Sequence, residues 1–163
     1  MITPNIITNK KSTVLLNGSV GGVNVKKFKF KKTSRNLLRK KLKISKNDFT
    51  FLYLGRINKD KGILDLINAF KKIERLYSTF LVLVGPIEDT YISNFIRKNK
   101  QIIYVGETLL PEKWFSAADI LCLPSYREGF GSVIIEAGSC NLPTLGSNIY
   151  GIVDAIEKNQ TGF

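Results

Sequence analysis

The chain has 163 residues, of which 25 are Lys or Arg, 13 Asp or Glu, two Cys and none His, and 44% are hydrophobic. That length and content fit one globular domain and exclude collagen, intrinsic disorder and a disulfide scaffold. Without His, imidazole acid/base chemistry and His-containing metal sites are excluded, so any catalysis falls to carboxylates, Lys, Arg and backbone groups.

Cys122 and Cys140 lie too far apart for a close-spaced thiolate motif. No apolar run approaches the roughly 18 residues of a membrane span, the longest being about eight around Phe80 to Ile87. Met1 to Lys11 scatters Ile among Asn, Thr and Pro without the apolar stretch of a secretory leader, so the expected compartment is the cytosol.

Upstream of Lys46 the pattern is weak: Thr13 to Leu16 suits an edge strand, Asn17 to Asn24 a Gly-rich turn, and Ser34 to Leu42 a basic helix. Residues 1–47 hold 13 Lys or Arg and no Asp or Glu, while residues 48–163 hold the other 12 basic residues and all 13 acidic ones. The basic stretch reads either as contact with an anionic surface or as a solvated Lys-rich helix and loop. Nucleic acid is not expected as the partner, because only Phe28 and Phe30 interleave with the lysines and no recognisable module surrounds them.

Downstream, Phe49 to Leu54, Thr79 to Val84, Gln101 to Val105 and Asp119 to Leu123 are short apolar runs rich in β-branched and aromatic residues, as buried parallel strands require. Between them, Gly62 to Tyr77 sets Ile63, Leu66, Ile67, Phe70, Ile73 and Leu76 on one helical face, with Lys71, Lys72 and Arg75 opposite. Asp89 to Lys98 and Pro111 to Ala118 are shorter helices, the second with Pro at its first position. Ser132 to about Ser139 is another, and Val153 to Lys158 a short turn. The alternation predicts an α/β, Rossmann-like parallel sheet with helices on both faces.

Ligands of such sheets bind beyond the carboxyl ends of the strands, so three loops matter. Gly55-Arg56 with Lys61-Gly62 brings two cations to a strand-to-helix turn; it reads as a phosphate site or as a tight turn with solvated cations. Glu128-Gly129-Phe130-Gly131-Ser132 leads into the helix carrying Glu136. Its amides suit a phosphate or sugar oxygen, and its two carboxylates, converging on one cleft, suit sugar hydroxyls. Two Glu eight apart are a weak motif alone, and the surroundings decide. Pro143 to Ser147 with Tyr150 to Asp154 is explained as well by a turn before a helix as by a ligand.

Leu54-Gly55-Arg56 with Lys61-Gly62, Ala118-Asp119-Ile120 ahead of Leu123-Pro124-Ser125, Glu128-Gly129-Phe130-Gly131 with Glu136-Ala137, and Pro143 with Gly146-Ser147 resemble, in order and spacing, the C-terminal domain of glycosyltransferase family 4. These are retaining enzymes of GT-B fold. The resemblance covers about residues 14–163, and its nearest likeness is to enzymes of bacterial capsule, O-antigen (lipopolysaccharide) or lipid-linked oligosaccharide assembly. Gly18-Ser19, Gly22-Val23-Asn24 and Phe28 look like the lead-in to that domain, with Asn24 where Asp is usual.

The resemblance implies that Arg56 and Lys61 bind the diphosphate of a UDP- or GDP-linked sugar and stabilise the leaving group without a metal. It implies that Glu128 holds hydroxyls of the donor hexose, with Gly55 and the backbone of Gly129, Phe130, Gly131 and Ser132 in support, and that Glu136 accepts the ribose hydroxyls. Gly106 and Glu107 are weaker choices for the base pocket. On this reading residues 1–16 are a lead-in and 17–163 a donor-binding domain, truncated at its end. The N-terminal acceptor domain is missing, so the chain is expected to be a fragment that binds donor and does not complete transfer. Its acceptor would be a saccharide or a lipid-linked saccharide, with possible peripheral contact to an anionic membrane. The alternative is a non-catalytic nucleotide-sugar binding module whose basic segment meets a partner or membrane.

Overall fold

Strands that are apolar on both faces need a covering layer on each side. The computed structural model describes residues 21–97 and 99–163. The readings of Thr13 to Leu16, Gly18-Ser19, the 1–16 lead-in and the start of the Asn17 turn lie outside the described residues, as does Lys98. Five strands, β1 (Phe49–Leu54), β2 (Thr79–Val84), β3 (Ile102–Gly106), β4 (Ile120–Leu123) and β5 (Thr144–Gly146), form one parallel sheet in the order β3-β2-β1-β4-β5. Helices α1 (Lys32–Lys41), α2 (Ile63–Ile73), α3 (Thr90–Arg97), α4 (Pro111–Ala117) and α5 (Ser132–Ser139) connect and cover it. The Rossmann-like expectation holds.

The register explains the two cores. Leu52 pairs with Val82, and both face Trp114 and Phe115 of α4 and Leu38 of α1. Tyr53 pairs with Leu83, and both face Ile63, Ile67 and Phe70 of α2 and Ile92 and Ile96 of α3. Successive residues of one strand therefore feed opposite layers, which is why the strands carry no polar alternation.

Three expectations need correction. α2 ends at Ile73, whose carbonyl accepts from the amides of Leu76 and Tyr77 in a tight turn, so Leu76 leaves the apolar face and is 72% exposed. The Pro143 to Ser147 segment is not only a loop, for Thr144–Gly146 is β5, paired to β4 from Leu121↔Thr144 to Leu123↔Gly146. With one apolar residue in three, and Pro and Gly at its ends, it carries no strand pattern. Of Val153 to Lys158 only Val153–Ala155 is helical, as a 3-10 turn.

α1 begins at Lys32 and is pinned to the sheet by its arginines. Arg35 donates to the carbonyls of Ala117 (3.2 Å) and Ala118 (2.7 Å), covering the open end of α4, and to Asp119 Oδ1 at 2.6 Å. Arg39, 4% exposed, reaches Asp119 Oδ2 (3.3 Å), Thr50 Oγ1 (3.0 Å) and the carbonyls of Ala117, Ser45 and Asp48. Asp119 Oδ2 also accepts from the Thr50 amide at 2.8 Å. Removing the carboxylate strands a buried guanidinium, which costs about 3 kcal/mol or more. Asp119→Ala should lower the urea-unfolding free energy by that amount, and a loss below about 1 kcal/mol would show that the Arg39 carbonyl contacts suffice.

Candidate functional site

The chain runs β1, β2, β3 to one edge of the sheet and then crosses to β4 and β5 on the other side of β1. The order reverses between β1 and β4, so a crevice opens beyond their carboxyl ends. Two loops wall it, Gly55 to Gly62 after β1 and Pro124 to Gly131 after β4.

Backbone contact draws the loops together. Asn58 Oδ1 accepts from the Lys61 amide at 3.1 Å, closing the 3-10 turn Lys59–Lys61, and Gly62 follows in the left-handed conformation with φ +66°. A Cβ at Gly62 would stand 2.0 Å from the Pro124 carbonyl oxygen, so glycine is required twice over, by conformation and by space. The Tyr126 amide donates to the Asp60 carbonyl at 2.9 Å, and the Tyr126 hydroxyl bonds the Asp65 carboxylate, which raises the phenol above its ordinary value. On the far side Gly151, at φ +85°, lets the Gly129 and Glu128 carbonyls approach.

Lys61 Nζ then lies 2.6 Å from Glu128 Oε1, with the two side chains only 16% and 17% exposed. Ser125 Oγ, fully buried, donates to the same oxygen at 3.0 Å. Arg56 stands further out: its side chain is 62% exposed and approaches Glu88 Oε1 at 3.4 Å. Asn58 Nδ2 donates to the other Glu88 oxygen at 2.6 Å, and that hydrogen bond, helped by the charges of Arg56 and Lys61, holds the Glu88 carboxyl below its ordinary value. Tyr53 lies beneath the group. Its hydroxyl donates to the Arg56 carbonyl at 2.6 Å, and burial, then the Glu128 charge, push the phenol well up.

The structure thus brings together Lys61 and Glu128 and sets Arg56 at the rim. The amides of Gly131 and Ser132, expected to be open to a ligand, are committed to the carbonyls of Gly151 (3.1 Å) and Phe130 (2.8 Å). The Phe130 amide has no protein acceptor among the described residues. The carboxylate of Glu136, in the second turn of α5, makes no hydrogen bond with the Lys61 cluster or with any other described residue. It is half-buried, and burial raises its carboxyl while Lys27 partly offsets the effect. Gly106 and Glu107 lie at the end of β3, two strands from β1, where the Gly106 carbonyl accepts from the Gly85 amide at 2.8 Å and Glu107 is exposed.

Three neighbours of the pair were not singled out from sequence, Tyr53, Asn58 and Glu88, and Ser125 enters there only within Leu123-Pro124-Ser125, with no role. Glu88 follows Gly85-Pro86 at the end of β2, where the rule of strand ends points, and Asn58 precedes Lys61 by a capping interval. Tyr53 has no signal beyond being a strand residue. The cysteines are buried in the core, and burial pushes the thiol of Cys122 up to about 12 and that of Cys140 to about 11. Among the described residues no group of three or more His, Cys, Asp or Glu stands together as a metal site.

Residues 34–163 match the family described as Glycosyl transferases group 1. The chain is 32% identical over 169 residues to the capsular polysaccharide biosynthesis glycosyltransferase CapM of Staphylococcus aureus, covering 100% of this chain and 44% of CapM. It is 27% identical to N-acetyl-alpha-D-glucosaminyl L-malate synthase of Bacillus anthracis, covering 77% of this chain and 34% of that one. Among solved structures, Anabaena Alr3699/HepE in complex with UDP and glucose superposes with a TM-score of 0.76 at 22% identity, over 87% of this chain and 40% of that one. A glycosyltransferase from Rickettsia africae gives 0.75 at 26%, over 87% and 40%. The chain spans under half the length of these relatives.

Two outcomes follow from the geometry. Gly62→Ala should destabilise the protein by about 3 kcal/mol or more in urea, from the left-handed strain plus the collision with Pro124. Gly106→Ala, at φ +88° with open space around it, should cost about 1 kcal/mol. Equal costs would mean that the loops are not in contact. Glu136→Gln should raise the melting temperature at neutral pH. A carboxyl raised on folding contributes most below its unfolded value and loses that contribution as pH rises, so the gain should vanish below about pH 4. A gain that persists there would rule out charge burial as its cause.

Proposed function

The chain belongs to the glycosyl transferases group 1 family, and from that premise we propose that its crevice holds the nucleoside diphosphate of a UDP- or GDP-linked sugar. The sugar is presented for transfer with retention, in the manner of family 4 GT-B enzymes, to a saccharide or lipid-linked acceptor in cell-surface polysaccharide synthesis on the cytoplasmic side. The observation that carries the reading is the Lys61–Glu128 pair, 2.6 Å apart at the point where the strand order reverses. In the free protein each group occupies the other. A diphosphate offers Lys61 a dianionic partner, and the released Glu128, still held by Ser125, turns to accept from sugar hydroxyls.

Arg56 is exposed and its contact with Glu88 is long, so it is free to swing onto the same diphosphate. Two cations then stabilise the charge that grows on the leaving diphosphate, the part a metal plays in other transferases, and no metal is proposed here. The Phe130 amide is open to a ligand oxygen. Glu136, a half-buried carboxylate with no described partner, suits the ribose hydroxyls, and Gly106-Glu107 the base. The UDP and glucose in the Alr3699/HepE structure and the capsular role in the CapM name support donor and pathway class.

The described crevice has one wall. Fast transfer also needs water excluded and an acceptor hydroxyl oriented against the anomeric carbon, which a second wall supplies. The 163-residue chain is therefore proposed to bind donor without transferring the sugar. Calorimetry tests the assignment. Arg56→Ala or Lys61→Ala should weaken UDP or GDP by about 1.5–3 kcal/mol and leave the bare nucleoside unchanged. Glu136→Gln should weaken diphosphate and sugar conjugate alike, whereas Glu128→Gln should weaken only the conjugate and leave the diphosphate unchanged or tighter, because Lys61 is released. Diphosphate binding weakened by Glu128→Gln would contradict the division of roles, and transfer from labelled donor by the chain alone would contradict the one-wall argument.

A further inference from the structure

We propose that the outward face of α1, with the segments that flank it, docks on an anionic lipid bilayer. The inference goes beyond the donor site and does not depend on it. Residues 21–47 contain nine lysines, Lys26, Lys27, Lys29, Lys31, Lys32, Lys40, Lys41, Lys43 and Lys46, and no acidic residue. All nine are exposed, and none forms an ion pair among the described residues. The two arginines of the segment behave differently: Arg35 and Arg39 point inward to Asp119. Two acids in contact with the segment are already engaged, Asp119 by those arginines and Asp48 by the Ser45 amide and the Ser78 hydroxyl. Nearby counter-charges are Glu136, beside Lys27, and Glu112 of α4, buried with its Oε2 unpartnered and sharing the surroundings of Cys140 with Lys31.

The exposed positions of α1 are Lys32, Thr33, Asn36, Leu37, Lys40 and Lys41, which recur at helical spacing as one face. Leu37 sits in the middle of that face, 65% exposed, between Thr33 and Lys41 one turn to either side. Lys40 and Lys46 share a shallow groove with Arg35 and Asn36, and Phe30, 44% exposed, lines a second groove on the other side of Arg35. Val25, 64% exposed, lies just upstream.

Such a field calls for a polyanion, and its details select a bilayer. The forked guanidiniums that would grip a phosphate backbone are used inside the protein, and the outward cations are all ammonium groups on long stems. A single-stranded nucleic acid would also want several aromatic faces to stack on, which this surface lacks. Leu37, Phe30 and Val25 instead gain by entering the boundary between headgroups and acyl chains while the surrounding lysines remain at the headgroups. Asp119 and Thr50, where α1 is pinned, stand at the amino ends of β4 and β1, the end of the sheet opposite the crevice. A bilayer on α1 itself therefore leaves the loops after β1 and β4 open, whereas the upstream flank runs toward them, with Gly22 and Val23 sharing a groove with Phe130 and Lys27 beside Glu136.

The test is co-sedimentation of the purified chain with vesicles of phosphatidylcholine alone, or of phosphatidylcholine mixed with phosphatidylglycerol. Binding is expected only to the anionic vesicles and should fall steeply with added salt. Neutralising one lysine at such a surface lowers partitioning about fivefold. Lys40→Gln with Lys41→Gln should therefore lower it by about twentyfold, with far-ultraviolet circular dichroism unchanged. Leu37→Ser should lower it several-fold at constant salt dependence. The proposal is overturned by absence of binding to anionic vesicles at low salt, by equal binding to neutral ones, or by a Leu37→Ser variant that binds like the parent. It is overturned equally if a duplex or single-stranded oligonucleotide binds more tightly than the vesicles at the same ionic strength, which would make nucleic acid the partner.

Discussion

The crevice rests on one close approach of backbone to backbone, Gly62 against the carbonyl of Pro124. Any side chain at position 62 would separate the loop that follows β1 from the loop that follows β4, and with them the cation of Lys61 from the carboxylate of Glu128. The same contact explains why a charged pair can stand here at low exposure. Its cost of desolvation is offset by a short geometry and by the buried Ser125 hydroxyl on the shared oxygen. On the proposed function, such a pair is what a ligand carrying both an anion and hydroxyls would divide between its two parts.

The remaining groups divide between support and reserve. Tyr53 props the Arg56 backbone from below, and Asn58 shapes the turn of Lys61 while holding Glu88. Arg56 and Glu136 are the two without firm partners, one exposed with a long contact, the other half-buried with no hydrogen bond among the described residues. At the other end of the sheet the logic is inverted. Arg35 and Arg39 converge on Asp119 and neighbouring carbonyls, with the buried Nε of Arg39 left unpartnered, while the lysines of α1 form no ion pair among the described residues.

Much of this was legible in the residues. Runs such as Phe49 to Leu54 can be buried on both faces only in a covered parallel sheet, and the spacing of Ile63, Ile67 and Phe70 can only be the inner stripe of a helix. Sequence also pointed to Lys61 and Glu128, because both flank strand ends beside glycine. What escaped it was whatever depends on a neighbour distant in the chain. β5 is a strand because β4 offers it hydrogen bonds, not because Thr144-Leu145-Gly146 has a pattern. Leu76 fits the α2 stripe but lies past the turn that ends the helix. Gly131 was expected to offer its amide to a ligand, and the carbonyl of Gly151 takes it instead, a contact between residues twenty positions apart.

The central claim is that the two loops joined at Gly62 and Pro124 form the diphosphate and sugar site. Titration of UDP, and separately GDP, into isotopically labelled chain, followed by amide chemical shifts, tests it most directly. The account predicts saturable shifts at residues 55–62 and 125–131, with the open amide of Phe130 among the largest, and none along residues 32–47. Shifts confined to α1, or none in the two loops with either nucleotide at saturation, would contradict it.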